Sequence, residues 1–377
     1  MITSNRVPPA ANRVLQLARH DRAAAQAVLA ELPLDGQVAL VCASPVARRG
    51  ELLGLLPDPA AVIPEIPEAE LCFTIKAVGL DRASWILEHV TPEQTQACVD
   101  LDAWDEDVPD DEALDLWMQA FAETEDESLL RAARALDPEL MMLWLHARLG
   151  AVLEPDDDPG WESPDGSRTI DGQFYLLAHR EGDDIAAPLR LLGVLFQGDY
   201  WFYFRLLQAL SWELVSDNQE HALRWRTGRL QDLGFPDREE ALRIYAPPTR
   251  RELDTLPDIA PTIGSWHLPI WLPELPASPE AGHALFRAAV ELDPEERRSL
   301  LYTFLAVVNK VAVADRLPLG EAESMPVAFE KAAAFTSAGL LHLAERHGIS
   351  PAELLRRHSV HLLFRVGSSL DPTGGSP

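Results

Sequence analysis

The sequence predicts a mainly α-helical protein with three parts: a helical-repeat (superhelical) N-terminal half, a small β-hairpin insertion and a second α-helical half. Three observations carry this expectation. Apolar residues recur at three- and four-residue steps through most of the chain, the period of one helix face. Three helix-start signals, Ser44-Pro45, Thr91-Pro92 and Asp137-Pro138, place their prolines 47 and 46 residues apart. That period falls within the range of HEAT- or armadillo-like helical repeats. Finally, Asp171-Gly172 separates two short runs in the manner of a tight hairpin turn.

Taken in chain order, Val14, Leu15, Ala18, Ala25, Val28 and Leu29 predict one helix from Asn12 to Leu32, stopped by Pro33. Short helices joined by tight turns follow to Gly150. Each Ser, Thr or Asp before its proline can cap an orphan N–H, and proline has no N–H to waste at the first helical position. Thr91 with Gln94 fits a capping box. Leu52, Val99 and Leu145 lie seven residues past the three prolines, and Leu56, Ala103 and Leu149 lie eleven past. Seven and eleven are one turn apart and share a face. A loop at Pro155-Asp-Asp-Asp-Pro-Gly160 leads to the hairpin, with strands from Ser167 to Ile170 and from Gln173 to Ala178. Helix returns from Ile185 to Tyr245. Within it, Tyr200-Trp-Phe-Tyr-Phe204 with Leu206, Leu207, Leu210 and Trp212 is apolar almost all round, which predicts a central, buried helix. Eight prolines between 247 and 279 exclude regular helix there, and Trp266, Ile270 and Trp271 predict that this stretch docks on the core. Asp293-Pro-Glu-Glu296 predicts a capped helix start, and Ser350-Pro-Ala-Glu353 predicts a capping box. The expected segments are residues 1–33, an N-terminal helix; 34–153, a helical-repeat domain; 154–182, an acidic loop and hairpin; 183–246, an aromatic-rich helical core; 247–280, a proline-rich docked segment; 281–370, a C-terminal helical region; and 371–377, a disordered tail.

Composition narrows the function. The 377 residues are 47% apolar, enough for a core, and carry a net charge of −28. A nucleic-acid backbone or an anionic membrane would be repelled. The charge concentrates between Glu65 and Asp165, where 27 acids face 5 bases. Three cysteines make no disulfide framework. The opening Met1-Ile-Thr-Ser-Asn-Arg-Val-Pro holds no apolar signal core, and no run approaches the ~20 apolar residues of a membrane span. A soluble, reducing, cytoplasmic setting is therefore expected.

Several segments carry a resemblance. Thr74-Ile-Lys-Ala-Val-Gly79, Asp100-Leu-Asp-Ala-Trp104, Leu136-Asp-Pro-Glu-Leu140, Leu223-Arg-Trp-Arg-Thr-Gly-Arg-Leu230, Leu233-Gly-Phe-Pro236, Glu240-Ala-Leu-Arg-Ile-Tyr245 and Leu363-Phe-Arg-Val-Gly367 resemble a bacterial protein family of unknown function, across nearly the whole chain past residue 30. This resemblance implies an architecture and no activity. The Leu-x-Pro-Glu helical units between Pro67 and Gly150 are also similar to the helical N-terminal domain of MgtE-type magnesium transporters and to flagellar motor switch proteins.

Candidate chemistry is sparse. Asp100, Asp102, Asp105, Glu106, Asp107, Asp110, Asp111 and Glu112 crowd one loop. Hard cations take several oxygens, so Asp102, Asp105 and Asp107 are candidate ligands for weak Mg²⁺ or Ca²⁺ binding. The glycine of an EF-hand loop is missing, and a solvated loop is the plainer reading. The one concentrated basic patch is Arg224, Arg226 and Arg229 around Trp225, with Arg238 and Arg243 beyond. Arginine forks bind carboxylates and phosphates at two points, which makes Arg224, Trp225, Arg226 and Arg229 candidate anion- or partner-binding residues. Arg226 and Arg229 share a helix face, whereas Arg224 points about 200° from Arg226. The plainer reading is internal pairing with Glu213, Glu239 or Glu240. His358 and His361 are spaced for one helix face but lack a supporting acid. Cys42, Cys72 and Cys98 read as small buried hydrophobes, and Lys76, in an apolar run, as a cation with an acidic partner. There is no P-loop, no G-x-G-x-x-G and no G-x-S-x-G. No catalytic residue and no cofactor are expected. The leading expectation is a non-catalytic cytoplasmic scaffold or interaction protein with a protein partner. The alternatives are a divalent-cation-responsive module and an enzyme that anchors an anionic small molecule on Arg226 and Arg229.

Overall fold

A computed structural model describes residues 9–155, 160–179, 184–212, 215–258, 266–272 and 274–370. The tail expected over 371–377, the centre of the 155–160 loop and Glu213 lie outside these residues. Among those described, the protein is mostly helical with two small antiparallel sheets. No described helix is long and apolar enough to cross a membrane. The chain forms two compact units: a larger one of Pro9–Cys42 and Val46–Gly228, and a smaller one that starts at Arg229 and also takes in Ala43–Pro45.

The larger unit opens with two helices rather than the single one expected, Pro9–Ala18 and Arg22–Ala30. Asp21 breaks the run, because its carboxylate accepts the Ala24 N–H at 2.9 Å and caps the second helix. The later start signals act as expected. Thr91 and Gln94 form a reciprocal capping box on Pro92–Asp102, and Asp137 caps Pro138–His146. Gln94 also donates to the carbonyls of Ile63 at 2.9 Å and Ile66 at 2.8 Å, tying two neighbouring turns together. Leu52, Val99, Leu145, Leu56, Ala103 and Leu149 are all buried. The intervals between the prolines nonetheless hold different elements. One contains only helices and the next contains a strand pair, so equal spacing marks buried helix starts and does not by itself make a repeat.

Most helices here are short, and each leaves terminal carbonyls without a helical partner. Arginines fill that need. Their forks reach Gly54 (from Arg22, 2.5 Å), Cys42 (Arg49, 2.8 Å), Glu88 (Arg131, 2.6 Å), Thr124 (Arg190, 2.6 Å), Gly198 (Arg134, 3.0 Å) and Asp100 (Arg226, 2.8 Å). Each carbonyl lies in the last turn of a helix or within two residues past its end, where a cation also meets the negative end of the dipole. Arg49 adds a buried ion pair with Glu70 at 2.5 Å.

The hairpin forms, with Arg168–Thr169 antiparallel to Phe174–Ala178. Asp171 accepts the N–H groups of Gln173 and Phe174, both at 2.9 Å, and Gly172 takes the positive φ of +75° that the turn requires. A third strand, Leu149–Leu153, joins the other edge of Phe174–Ala178, pairing Leu149 with Ala178 and Leu153 with Phe174. Sequence reading leaves it in the helical half, since an apolar run of five does not separate strand from helix. A second unexpected pair, Trp104–Asp105 with Val108–Pro109, folds the acidic loop into a miniature hairpin. The helix Tyr200–Trp212 corrects another expectation. Phe202, Tyr203, Leu206, Leu207 and Leu210 are buried, but Trp201 is 74% exposed and Trp212 64%.

The smaller unit rests on two long helices, Pro294–Ala314 and Ser324–His347. Asp293 caps the first as expected, and Glu296 completes a reciprocal capping box with it. At the expected box only half is made: Ser350 accepts the Glu353 N–H, while the Glu353 carboxylate turns to Arg357 at 2.7 Å. The following helix, Val360–Leu370, crosses Ser324–His347 in backbone contact. A Cβ on Gly339 would fall 1.9 Å from the Leu363 carbonyl oxygen, and one on Gly367 would fall 1.8 Å from that of Phe335. Phe286, Phe304 and Phe329 interlock beside them at 5.0–5.6 Å between centroids. The proline-rich stretch contains one short helix, Arg250–Asp254, against expectation; a Thr249/Glu252 capping box supplies what the prolines on either side do not. Ile270 and Leu275 of this stretch are buried.

Candidate functional site

The two groups of candidate residues meet at the carboxyl end of Pro92–Asp102. Arg226, from the helix Val215–Asp232, is nine-tenths buried. Its Nε donates to the Asp100 carbonyl at 2.8 Å and its Nη1 to the Glu106 carbonyl at 3.0 Å. Its guanidinium lies 4.7 Å from the centre of the Trp104 ring, within cation–π range. Arg226 thus clamps the miniature hairpin to the helix that precedes it. It faces backbone carbonyls rather than a pocket, which is not the arrangement an anion anchor needs.

Asp102 is held just as firmly. One carboxylate oxygen pairs with Lys76 and the other accepts the Trp117 indole N–H at 2.8 Å. The same design recurs nearby: Asp115 accepts the Trp144 indole N–H at 3.0 Å and pairs with Arg148 at 2.7 Å. Asp105 and Asp107 lie exposed on the hairpin and Asp100 is buried, accepting from Gln96 at 2.9 Å. Asp102 therefore faces Lys76 and Trp117 while Asp105 and Asp107 face solvent. Among the described residues, no group of three His, Cys, Asp or Glu could hold a metal ion.

The remaining candidates scatter. Arg224 is exposed, Trp225 is 58% exposed, and Arg229 opens the other unit. His358 ends the helix Pro351–Arg357 and His361 belongs to the next, so they do not share one helix. Burial and the neighbouring His347 hold the His358 pKa below its ordinary value. Burial, then the Lys310 cation, pull His361 down to about 4. Burial pushes the Cys42 thiol up to about 12, and hydrogen bonding to Cys98 together with burial raises Cys72 well above the ordinary thiol value. These thiols stay protonated and unreactive. In the smaller unit, Asp237, Glu239, Glu240, Arg243 and Lys310 line an open polar cavity of about 390 Å³. Its cations are engaged, Lys310 with Glu240 and Arg243 with Glu239, each at 2.8 Å.

Two residues that the sequence reading assigns to the core, Trp201 and Trp212, prove the most exposed of the large apolar side chains, and they share a face with exposed Arg205 and half-buried Gln208. Trp201, Arg205, Gln208 and Trp212 follow one another at +4, +7 and +11 along one helix. At 100° per residue they fall within about 60° of each other. That spacing is the signal in the sequence; the surrounding leucines mask it.

A family model described as a family of unknown function (DUF6178) matches residues 26–371. The chain belongs to this family. The match spans both units, so the two are parts of one family architecture. No curated protein and no solved structure matches the chain.

Proposed function

We propose that this member of the family is a non-catalytic, cytoplasmic interaction protein that binds a protein partner through its larger unit. The observation that carries this reading is the exposure of Trp201 and Trp212 on one face of a single helix. Two large exposed indoles aligned on one helix face support an interaction surface, and tryptophan is enriched among binding hot spots. The ionic residues that an enzyme or cation sensor would use point the same way. Arg226 holds carbonyls and Asp102 holds a lysine and an indole, so both serve the fold.

In-cell photocrosslinking tests the reading. Trp201→p-benzoylphenylalanine and Trp212→p-benzoylphenylalanine, each in the full chain, are compared with the same probe at exposed Arg224. Discrete adducts from 201 and 212, absent from 224, are expected. Adducts no stronger at 201 and 212 than at 224 would remove the interaction reading.

A further inference from the structure

We infer that the Trp201–Trp212 stripe seats an amphipathic helix of another protein, one that presents a carboxylate between two apolar positions. The inference rests on the interaction reading above and names the chemistry of the partner.

The buried face of the Tyr200–Trp212 helix, centred on Leu206 and Leu210, lies opposite the stripe. The stripe is therefore the outer ridge of a helix whose inner face is already packed. Trp201 and Trp212 are separated by three turns, about 16 Å along the axis. A straight ridge of that length matches the side of a second helix, which would lay apolar residues against each indole.

Arg205 stands between the two indoles. It is exposed, and its guanidinium lies 5.7 Å from the centre of the Phe202 ring. Among the described residues it has no hydrogen-bond or ion-pair partner. Other described arginines of this unit also lack a partner, among them Arg13 and Arg224, but Arg205 alone of these lies over an aromatic ring, which holds its open fork on the stripe. A fork on an apolar ridge complements a carboxylate flanked by apolar groups.

Other occupants fit less well. In a symmetric antiparallel pair of copies, the two-fold axis would cross midway between Trp201 and Trp212. Each Arg205 would then sit about 5 Å along the axis from its mate, like charge against like. A nucleic acid or an anionic membrane would bring dense negative charge against a protein of net charge −28. A single carboxylate on a partner helix brings only one.

The test adds Arg205 substitutions and residue-level mapping to the crosslinking experiment, in the full chain. Mapped adducts from 201 and 212 are expected on a helical segment of another protein with an Asp or Glu within one turn of the crosslinked residue. Arg205→Glu, exposed and so without effect on melting, lowers the adduct yield about tenfold or more, equivalent to about 1.4 kcal/mol. Arg205→Lys, which keeps the charge, loses less. Four outcomes overturn the inference while leaving the interaction reading in place or redirecting it: adducts only with a second copy of this chain, adducts only with lipid, partner segments without an acid, or a yield unchanged by Arg205→Glu. Absence of adducts at both positions overturns both.

Discussion

Around Arg49 and Asp102 the larger unit is built from helices of 8 to 11 residues, whereas the smaller unit turns on helices of 21 and 24. A short helix leaves most of its peptide groups at its ends, unsatisfied from within. The larger unit answers with arginine forks on carbonyls and with charges taken inside: Arg49 against Glu70, and Lys76 and Trp117 on Asp102. The smaller unit satisfies much of its backbone within the two long helices and adds close apolar contact, down to glycine against glycine at Gly339 and Gly367. Where its own helices are short the arginine device returns, with Arg356 on the Glu291 carbonyl and Arg365 on that of Ala246. None of its described ion pairs is as buried as Arg49–Glu70; the most sheltered of them, Lys331–Asp315, is 29% and 16% exposed. Helix length thus decides where each kind of glue is used.

The largest effect is expected where apolar contact is closest. Gly339→Val drives a side chain into the Leu363 carbonyl, and backbone cannot give way as a flexible side chain would. A loss of about 5 kcal/mol or more is expected, seen as early unfolding of residues 229–370 by hydrogen exchange. Near-normal exchange there would show that the helices can part without cost. Next is Arg49→Met, which strands the buried Glu70 carboxylate and costs about 3–5 kcal/mol in urea unfolding. Arg49→Met combined with Glu70→Leu should recover most of that loss, and failure to do so would assign the cost to the Cys42 carbonyl instead.

A smaller effect separates the units by pH. In the smaller unit the folded His361 has a pKa of about 4, held there first by burial and then by Lys310, against 6.5 when free; Glu240 acts in the opposite sense. Between these values the unfolded chain binds a proton that the folded imidazole refuses. Stability is therefore full above pH 6.5 and falls as pH drops through about 4. The Glu252 carboxyl, held to about 2 by the Thr249 N–H and then by Arg365, adds a second fall between pH 4.5 and 2. Melts stepped through pH should lose the upper fall, and keep the lower, in His361→Gln. The smallest effect belongs to the acidic hairpin. At matched ionic strength, Mg²⁺ or Ca²⁺ should shift the melting of Asp105→Asn/Asp107→Asn and the parent chain equally, since salt alone screens both. A saturable shift confined to the parent would establish weak cation binding there.

What was legible in the sequence lay within four residues of itself. Thr91 with Gln94, Asp293 with Glu296, and Asp171 before Gly172 each satisfy backbone groups in their own turn, so their pattern is their structure. Membership of the family was legible for the same reason, as short motifs spread along the chain. Distant partners were not. The Asp100 carbonyl that Arg226 caps lies 126 residues away, and Leu149–Leu153 becomes a strand only because Phe174–Ala178 pairs with it. At the candidate site the residue types were visible and their employment was not. Arg226 and Asp102 look the same in a sequence whether they hold a ligand or a helix end. Trp201 and Trp212 were misread because apolarity reports what a side chain would bury, and not whether anything arrives to bury it.

The placement of tryptophan has an optical consequence. Of the ten in the chain, Trp266 and Trp271 alone come after Arg229. Emission excited near the red edge of indole absorption therefore follows mainly the larger unit, where shielded Trp117 and Trp144 emit blue and accessible Trp201 and Trp212 emit red. The Phe286, Phe304 and Phe329 cluster is dark at that wavelength. Iodide or acrylamide should quench the red component first, and a denaturation curve followed by fluorescence will be weighted toward the larger unit's transition, while circular dichroism weights both by their helix.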